Sequence, residues 1–313
     1  MIAPEAVVAR ILDAYSVDFL AIAAAQKGYR NSSFAVKTAH GTLNVILYKT
    51  EAGMAERIQR ANFVGDFLAH RGLPARQTYS SRIIRLRGTA LTKYAAIYHY
   101  LPGDTIPWEA YTMKHIKALG EAMGKMHAVL RNFSGTLPGA TDELKALHAR
   151  MRRYFSDIHV SRAMWQKLSL IISKHTFDKL PVSLHLKNQA LHLDFVRGNI
   201  LFQGAKITGI LDFEKTARGP VEYDLARTLA FLFVDCKYKT EPKIRKYFLQ
   251  SGYIKRGGGV IVDAGLLERL VSFFLLHDFY KFLRHNPYEA LQRNEHFMRT
   301  RLVLLQRGLL SVK

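Results

Sequence analysis

The sequence predicts an α+β fold with a small N-terminal lobe built on an antiparallel sheet and a larger, mainly helical C-terminal lobe. Strand-like segments and one long helix account for most of residues 1–100. Helical periodicity dominates after a segment marked by Pro and Gly at residues 101–103. The chain has 313 residues, 49% of them hydrophobic, which is enough for one large domain or two lobes. We therefore expect one domain at residues 1–100 and a second at residues 101–313.

The elements of the N-terminal lobe follow from local patterns. PEAVVARILDAY is predicted to be an amphipathic helix, because Pro4 suits its first turn and apolar side chains repeat on one face. Strands are predicted in FLAIAAAQ, SSFAVKT and LNVILYK, with AHG as a hairpin turn between the last two. A helix is expected at residues 54–71 with Gly72 as its C-cap, followed by strands in RIIRLRG and YAAIYHYL.

The C-terminal lobe is predicted to consist of helices around a few short strands. Helices are expected at residues 111–130 and, as two stretches, between residues 142 and 177. Strands are predicted in QALHLDF, NILFQG and KITGILDF. The rest of the chain is expected to be helical apart from the turn KRGGG.

The chain is strongly basic, with 46 Lys and Arg against 25 Asp and Glu and a formal net charge of +21. Such a charge attracts anions, including nucleotides, nucleic acid and acidic lipids. A solvated basic surface explains it equally well. No RNA- or DNA-binding motif accompanies the basic residues, so a nucleic-acid partner is disfavoured but stays open.

Cysteine content and hydropathy bear on the compartment. The single cysteine, Cys236, excludes an internal disulfide, and the N-terminus shows no secretory signal. The sequence contains no run of about 18 uncharged apolar residues, so no membrane span is predicted. We therefore expect a cytoplasmic protein, and no feature of the sequence indicates its oligomeric state.

One stretch of the C-terminal lobe places polar residues between two apolar strands. In LHLDFVRGNILF, Asp194 and Asn199 stand where a short loop can direct both to one point. The apolar segment ITGIL then leads to Asp212 and Glu214, and two neighbouring strands would bring Asn199 and Asp212 to the same end of a small sheet. A turn and a strand end explain either element alone. Together they favour phosphoryl transfer, which needs a carboxylate to accept the hydroxyl proton and oxygen ligands for Mg²⁺.

The pattern His-x-Asp-x-x-x-x-Asn at residues 192–199, followed by Asp-x-Glu at residues 212–214, resembles the aminoglycoside phosphotransferase and choline kinase family. These are small-molecule kinases with a protein-kinase-like fold. GYRNSSFAVKTAHGTLNVILYK resembles the hairpin that covers the nucleotide, AIYHYLPGD the hinge, and GPVEYDLARTLAFL the segment after the metal-binding Asp. The resemblance implies a bilobal protein-kinase-like fold, with nucleotide binding in residues 1–100 and catalysis and substrate binding in residues 101–313.

The resemblance also implies a role for each residue that matches the motif. Asp194 resembles the catalytic base, and His192 resembles the residue that braces the catalytic loop. Asn199 and Asp212 resemble the Mg²⁺ ligands, and Glu214 resembles a further ligand or a group that supports them.

Further candidates lie beside these motifs. Arg197 is placed to reach phosphate or substrate, with a structural ion pair as the alternative. Adenine would pair with backbone groups between His99 and Leu101, and Ser32 and Ser33 would meet phosphate in the covering hairpin.

The family places a lysine on the third strand of the small lobe, where it holds the α- and β-phosphates. Aligned from the turn at Gly41, that position falls on Leu47. Lys49 lies two residues later, on the same face of a strand, and is the candidate, with a solvent-facing strand end as the alternative. Glu56 is the nearest candidate for its partner.

Two residues outside the motif have structural explanations. Asp224 is expected to cap the helix that begins near it rather than to act in catalysis. His127, at the end of a helix rich in apolar residues, is expected to pack against the catalytic loop.

The implied function is an ATP- and Mg²⁺-dependent transfer of the γ-phosphate to a hydroxyl of a small molecule, with GTP as a possible donor. An aminoglycoside, a homoserine-like amino alcohol and a sugar stay open as acceptors. The basic composition disfavours a polycation unless Asp278, Glu289 and Glu295 form an acidic pocket. The alternatives are a nucleotide-binding pseudokinase that acts as a scaffold and a basic nucleic-acid-binding protein on a kinase-like fold.

Overall fold

The computed structural model describes residues 4–24, 26–27, 31–49, 51–86, 93–173, 176–178, 180–182 and 186–312. The chain divides into two compact units. The first consists of Met1–Thr105 with Asn199–Thr216, and the second of Ile106–Gly198 with Ala217–Lys313. Parts of the predicted covering hairpin (residues 28–30) and of the strand RIIRLRG (residues 87–88) lie outside the described residues. The division of nucleotide binding and catalysis between residues 1–100 and 101–313 stays a prediction.

Among the described residues, the strands of seven or eight residues all belong to the first unit. In chain order the strands are β1 (Ala21–Ile22), β2 (Gln26–Lys27), β3 (Ser32–Thr38), β4 (Gly41–Tyr48), β5 (Ile84–Leu86), β6 (Lys93–His99), β7 (Leu170–Ile172), β8 (Gln189–Leu191), β9 (Ile200–Gln203), β10 (Lys206–Ile210), β11 (Ala217–Gly219) and β12 (Leu310–Val312).

Helices make up most of the second unit. In chain order the α-helices of both units are α1 (Pro4–Ala14), α2 (Met54–Ala69), α3 (Met113–Leu130), α4 (Ala140–Phe155), α5 (Ile158–Leu168), α6 (Glu222–Asp235), α7 (Glu241–Arg245), α8 (Ala264–His285), α9 (Tyr288–Leu291) and α10 (Glu295–Gln306). Of these, α1 and α2 belong to the first unit. A π-helical stretch, Lys246–Ile254, continues from α7. None of the helices described is both long and apolar enough to cross a membrane.

The main sheet of the first unit is antiparallel, in the order β1-β3-β4-β6-β5, with β2 beside β3. Alternate side chains of β4 point to opposite faces, as strand geometry requires. Val45 belongs to the cluster formed with Ile11 of α1. Ile46 and Tyr48 belong to the cluster formed with Ile58 of α2. The sheet therefore has an α1 face and an α2 face, and Tyr48 lies on the second.

The strand pair β9–β10 completes the first unit. The strands are antiparallel, and β10 also forms a parallel bridge between Ile210 and Ala75, in the segment that follows α2. Helix α2 approaches this segment so closely that a Cβ on Gly65 would lie 2.3 Å from the carbonyl oxygen of Arg76. Only glycine fits there without a shift of the backbone, and the approach fixes the chain at Arg76.

The second unit is built around α3, α6, α8 and α10. Helix α6 is buried on almost every side, and α3 packs against the π-helical stretch. A Cβ on Gly120 of α3 would lie 2.0 Å from the carbonyl oxygen of Phe248, so this contact also depends on glycine. Strand β8 pairs with β11, and the pair leads into the loop that carries Asp194.

The prediction of helix up to residue 177 was wrong for the described residues that follow Leu168, namely 169–173 and 176–177. Helix α5 ends at Leu168, Ser169 has a φ of 53°, and β7 follows and pairs with β12 near the C-terminus. The two strands are distant in sequence, so local periodicity does not reveal their pairing. Strand β12 was also predicted to be helical. In QALHLDF only the first three residues form a strand.

Candidate active site

The loop that follows β8 is buried and held in a strained conformation. Residues 192–195 are all buried, and Leu193 has a φ of 59°, a left-handed conformation that a leucine rarely adopts. Such a residue costs about 1–3 kcal/mol and persists only where its surroundings hold it. Asp224 of α6 does so, because its Oδ2 accepts from the backbone N–H of His192 at 2.8 Å and its Oδ1 from that of Leu193 at 2.6 Å.

Asp224 is not the cap of α6 that the sequence suggested. It is the third residue of the helix, and the N-cap position is Val221, which makes no side-chain cap. Burial alone would raise the pKa of Asp224, but the hydrogen bonds from His127 and the loop backbone hold it below its usual value. The carboxylate is therefore ionised and binds the loop as an acceptor.

His127 of α3 supports Asp224 from the other side, so its connection to the loop runs through this carboxylate. Its Nε2 lies 3.0 Å from Asp224 Oδ2 and its Nδ1 lies 2.9 Å from the hydroxyl of Tyr253. Since Asp224 is ionised, Nε2 carries the proton and donates it. Gln189 of β8 donates in turn to the carbonyl of His127 at 3.0 Å.

Arg227 and Thr228, one turn further along α6, also bind the loop. Arg227 Nη2 donates to Asp194 Oδ1 at 3.1 Å, and Thr228 Oγ1 donates to the carbonyl of Phe195 at 3.0 Å. Residues three and four positions after Asp224 share its face of the helix, which explains why all three reach one loop. Sequence reasoning missed Arg227, although the spacing in DLART was the available signal.

The structure places His192 and Asp194 in one hydrogen-bonded turn. His192 is fully buried, and its Nδ1 accepts from the backbone N–H of Asp194 at 3.1 Å. Asp194 is only 7% exposed. Arg197 follows in a 3-10 turn and is exposed. A backbone hydrogen bond is the main cause that lowers the pKa of Glu109, and Arg197 lies close enough to contribute.

The predicted metal ligands lie together in the first unit. Asn199 precedes β9 and Asp212 follows β10, and the backbone N–H of Leu211 donates to the carbonyl of Asn199 at 2.8 Å. Asp212 has a φ of 58°, and its Oδ1 accepts from the N–H of Glu214 at 3.4 Å. Glu214 Oε1 accepts from Asn31 Nδ2 at 3.2 Å. The two strands thus bring Asn199 and Asp212 to one end of the pair, as predicted.

These residues fit a magnesium site by the chemistry of their donors. Asn199, Asp212 and Glu214 offer only amide and carboxylate oxygens, the hard ligands that Mg²⁺ prefers. The part of the chain that the structure describes contains no group of three or more His, Cys, Asp and Glu side chains arranged for a metal. One amide with one or two carboxylates is a smaller set, which suits a metal that also binds phosphate oxygens.

The predicted nucleotide-binding residues lie in the main sheet. Ser32 and Ser33 are in β3, and Ser33 Oγ donates to Asn44 Oδ1 at 2.6 Å. The backbone N–H of His99, at the end of β6, donates to the carbonyl of Gln77 at 3.0 Å. Leu101 follows and is half-buried.

Lys49 comes one residue after β4 ends, and its side chain is exposed. Its backbone N–H donates to Asn31 Oδ1 at 3.3 Å. Glu56, its predicted partner, is exposed in the first turn of α2. The roles of Lys49 and Glu56 stay predictions.

A buried chain of neutral groups connects β4 to α2. The Tyr48 hydroxyl lies 2.5 Å from the Tyr98 hydroxyl, which donates to Asn62 Oδ1 of α2 at 2.8 Å. Since Tyr98 donates to Asn62, Tyr48 donates to Tyr98. No pattern in the sequence indicated these hydrogen bonds, because the three residues come from three different elements.

A small pocket in the second unit adjoins Arg227. Besides this arginine, its lining combines two aromatic rings with charged or titratable side chains, namely Phe231, Phe274, His277, Asp278 and Lys281. Since Arg227 also binds Asp194, the pocket lies beside the proposed base.

The three acidic residues considered for a polycation site are each paired with a different basic residue. Asp278 Oδ2 lies 2.7 Å from His296 Nε2, and Glu295 lies 2.6 Å from Lys237 Nζ. Glu289 forms an ion pair with Lys167. Of the three, only Asp278 lines the pocket beside Arg227.

His296 bridges two carboxylates and is expected to make stability depend on pH. Burial lowers its pKa, but the hydrogen bonds to Asp235 and Asp278 outweigh burial and raise it to about 9. Because an unfolded histidine titrates near pH 6.5, the bridge stabilises the fold fully below about pH 6.5, and this contribution is lost as the pH rises through about 9. The full contribution is about 2–3 kcal/mol.

Urea unfolding of the wild-type protein and His296→Gln at pH 6 and pH 9.5 measures this term. We expect the variant to be less stable by about 2–3 kcal/mol at pH 6 and by under about 1 kcal/mol at pH 9.5. An equal difference at both pH values would contradict a protonated bridge.

Comparison with known proteins agrees with this architecture. A model of the phosphotransferase enzyme family matches residues 21–238. The chain is 25% identical over 231 residues to a homoserine kinase of Methylobacterium radiotolerans, which covers 71% of this chain and 68% of that protein. It is 25% identical over 200 residues to a homoserine kinase of Methylobacillus flagellatus, which covers 64% of this chain and 59% of that protein, less than two thirds of its length.

Solved structures show the same fold at lower identity. The amicoumacin kinase hAmiN, in complex with AMP-PNP, Ca²⁺ and Ami, superposes with a TM-score of 0.69 at 13% identity over 98% of this chain and 97% of that chain. The aminoglycoside phosphotransferase APH(4)-Ia gives a TM-score of 0.62 at 13% identity over 97% of this chain and 99% of that chain. These likenesses confirm the predicted α+β, protein-kinase-like fold.

Proposed function

The chain belongs to the phosphotransferase enzyme family, and from this membership we propose that it transfers the γ-phosphate of ATP to the hydroxyl of a small amino alcohol of the homoserine type. The observation that carries the proposal is the loop of residues 192–195. Its strained backbone is bound by Asp224, and Asp194 is oriented by Arg227. The same stretch of chain continues directly into Asn199, whose carbonyl accepts from the residue before Asp212.

Asp194 acts in this proposal as the base for the acceptor. Its carboxylate receives the proton of the attacking hydroxyl while the γ-phosphoryl group moves to the oxygen, and ADP leaves. Arg227 keeps one carboxylate oxygen, Oδ1, in a fixed direction. His192 holds the peptide of Asp194 through its Nδ1. Arg197, exposed beside this loop, is proposed to reach phosphate or acceptor.

Asn199, Asp212 and Glu214 would hold Mg²⁺ in the first unit. When bound, the metal neutralises the negative charge of the triphosphate. For the nucleotide we propose backbone contacts at His99 and Leu101, and phosphate contacts from Ser32. Ser33 is proposed as a further phosphate contact. Lys49, the phosphate contact predicted from the sequence, is tested separately below, and GTP is to be tested beside ATP.

The charges beside Arg227 in the second unit favour one class of acceptor. The pocket beside Arg227 contains a second cation, Lys281, and one carboxylate, Asp278, which already binds His296. Such a set suits a molecule with an anionic group and at most one ammonium group. It does not suit a polycation, because like charges brought together cost several kcal/mol. Homoserine-like amino alcohols meet this description.

ADP release with ATP or GTP and Mg²⁺ tests the proposal on homoserine, choline, an aminoglycoside and simple sugars. Homoserine and choline form a matched pair, since both carry a primary hydroxyl and a cationic nitrogen but only homoserine has a carboxylate. We expect kcat/KM for homoserine-like compounds to exceed that for choline and aminoglycosides by at least about 100-fold. A best rate with an aminoglycoside would overturn the acceptor class. If none of the compounds is turned over, the proposed kinase activity is contradicted.

A further inference from the structure

The first unit contains a buried arginine that the proposed function has not used. Arg76 is only 6% exposed, and its guanidinium lies 4.5 Å from the centre of the Tyr98 ring. Its Nη2 is buried without a hydrogen-bond partner. A buried N–H donor without a hydrogen-bond partner is costly, and a bound anionic ligand would supply the missing acceptor.

Two of the carboxylates that act on Arg76 belong to the proposed metal site. Burial lowers the pKa of Arg76, but the phenols of Tyr48 and Tyr98 and then the carboxylates of Asp212 and Glu214 raise it above its usual range. The guanidinium therefore lies within electrostatic reach of both carboxylates.

The backbone fixes Arg76 relative to Asp212. The N–H of Arg76 donates to the carbonyl of Ile210 at 2.9 Å, and the N–H of Ile210 donates to the carbonyl of Pro74 at 2.7 Å. Ile210 ends β10 and stands two residues before Asp212. The close approach of Gly65 in α2 holds the carbonyl of Arg76 from the other side. Arg76 is thus part of the same rigid frame as the proposed metal ligands.

A lysine of β4 that held phosphate would point toward α2, but the β4 residues on this face include no lysine. Tyr48 occupies that face, and the hydrogen-bonded chain through Tyr98 to Asn62 fills the space with neutral groups. Lys49 follows the end of the strand and is exposed. The buried positive charge on this side of the sheet comes from Arg76 instead.

We propose that Arg76 is the residue that holds the phosphate groups of the nucleotide in this protein, in place of a lysine on the third strand. This inference rests on the proposed kinase function. A guanidinium offers two parallel N–H donors to phosphate oxygens, and charge-assisted bonds of this kind are stronger than neutral ones. The Tyr98 ring orients the guanidinium, and Nη2 of Arg76 donates to phosphate.

Matched neutral variants at the two candidate positions test the assignment. Arg76→Gln and Lys49→Gln each remove one positive charge, and the affinities for ATP and for adenosine are measured by calorimetry with Mg²⁺ present. We expect Arg76→Gln to weaken ATP binding about 10- to 100-fold, because hydrogen bonds to charged groups contribute about 1.5–3 kcal/mol, and to leave adenosine within about threefold. Lys49→Gln is expected to change both affinities by less than about threefold.

The ratio of the two affinities separates phosphate binding from a structural role. An equal loss of ATP and adenosine affinity in Arg76→Gln would overturn the proposal. The proposal would also be overturned if Lys49→Gln lost the preference for ATP over adenosine. This second measurement tests the proposal even if Arg76→Gln does not fold. Arg76→Lys keeps the charge and is expected to keep part of the preference. If the wild-type protein itself does not prefer ATP to adenosine, the proposed function fails and this assignment with it.

Discussion

Replacing Asp194 by asparagine is expected to lower kcat by about 10³-fold while the fold stays intact. The amide has almost the same shape, and its oxygen still accepts the hydrogen bond that Arg227 donates to Oδ1 at 3.1 Å. What the amide cannot do is take up the proton of the attacking hydroxyl. We therefore expect the loss in kcat and little change in the affinity for ATP.

ADP release, ATP affinity and thermal unfolding together check this result. Asp142→Asn is a matched control, because the Asp142 side chain is 84% exposed in α4 and is not part of the loop. A variant at Asp194 with wild-type kcat would show that another group accepts the proton. A variant that lost activity together with its cooperative unfolding would show only that Asp194 holds the loop.

The parts of the site that were predicted from sequence are those whose residues lie close together in the chain. Asp194 and Asn199 share one short loop, and Asp212 follows the next strand but one, so an apolar–polar pattern was enough to identify them. Helix α2 and strands β3, β4 and β6 were predicted for the same reason. The loop, the strand pair and the fold class follow from such local information.

The parts that were missed depend on contacts between distant segments. Arg227 binds Asp194 because α6 packs against the loop, and Arg76 is held beside Ile210, two residues before Asp212, by the bridge from Ala75 to Ile210. The pairing of β7 with β12 joins segments near residues 171 and 311 in the same way. The spacing of Asp224, Arg227 and Thr228 indicated only that the three share a helix face, and not which loop they bind. For Arg76 and for the pair β7–β12, the local sequence does not indicate the distant partner, because Arg76 looks like a surface arginine and the strand residues look like helical apolar residues.

Asp224 was singled out from the sequence as a helix cap, but its role in the structure is to bind the loop of residues 192–195. An Asp near the start of a helix is usually a cap, and the sequence of α6 fits that rule. In the structure the same carboxylate lies inside the helix, fully buried, and binds a different segment. The two roles differ in energy, and this difference can be measured.

Asp224→Ala is expected to destabilise the protein by about 3–5 kcal/mol, the cost of removing one partner from a buried hydrogen-bonded charge pair. The variant leaves the N–H groups of His192 and Leu193 and the Nε2 of His127 without their acceptor. It also removes the support for the left-handed conformation of Leu193. Since Asp194 follows directly, we expect kcat to fall as well, even at temperatures where the variant is folded.

Asp157→Ala is the control that separates the two roles. Asp157 Oδ1 also accepts from two backbone N–H groups, those of His159 and Val160, but as an exposed N-cap of α5. Loss of such a cap costs about 1 kcal/mol. Urea unfolding of both variants should therefore differ by at least about 2 kcal/mol. Equal losses would mean that Asp224 contributes no more than a cap, and that the strained loop is held by Arg227 and Thr228 instead.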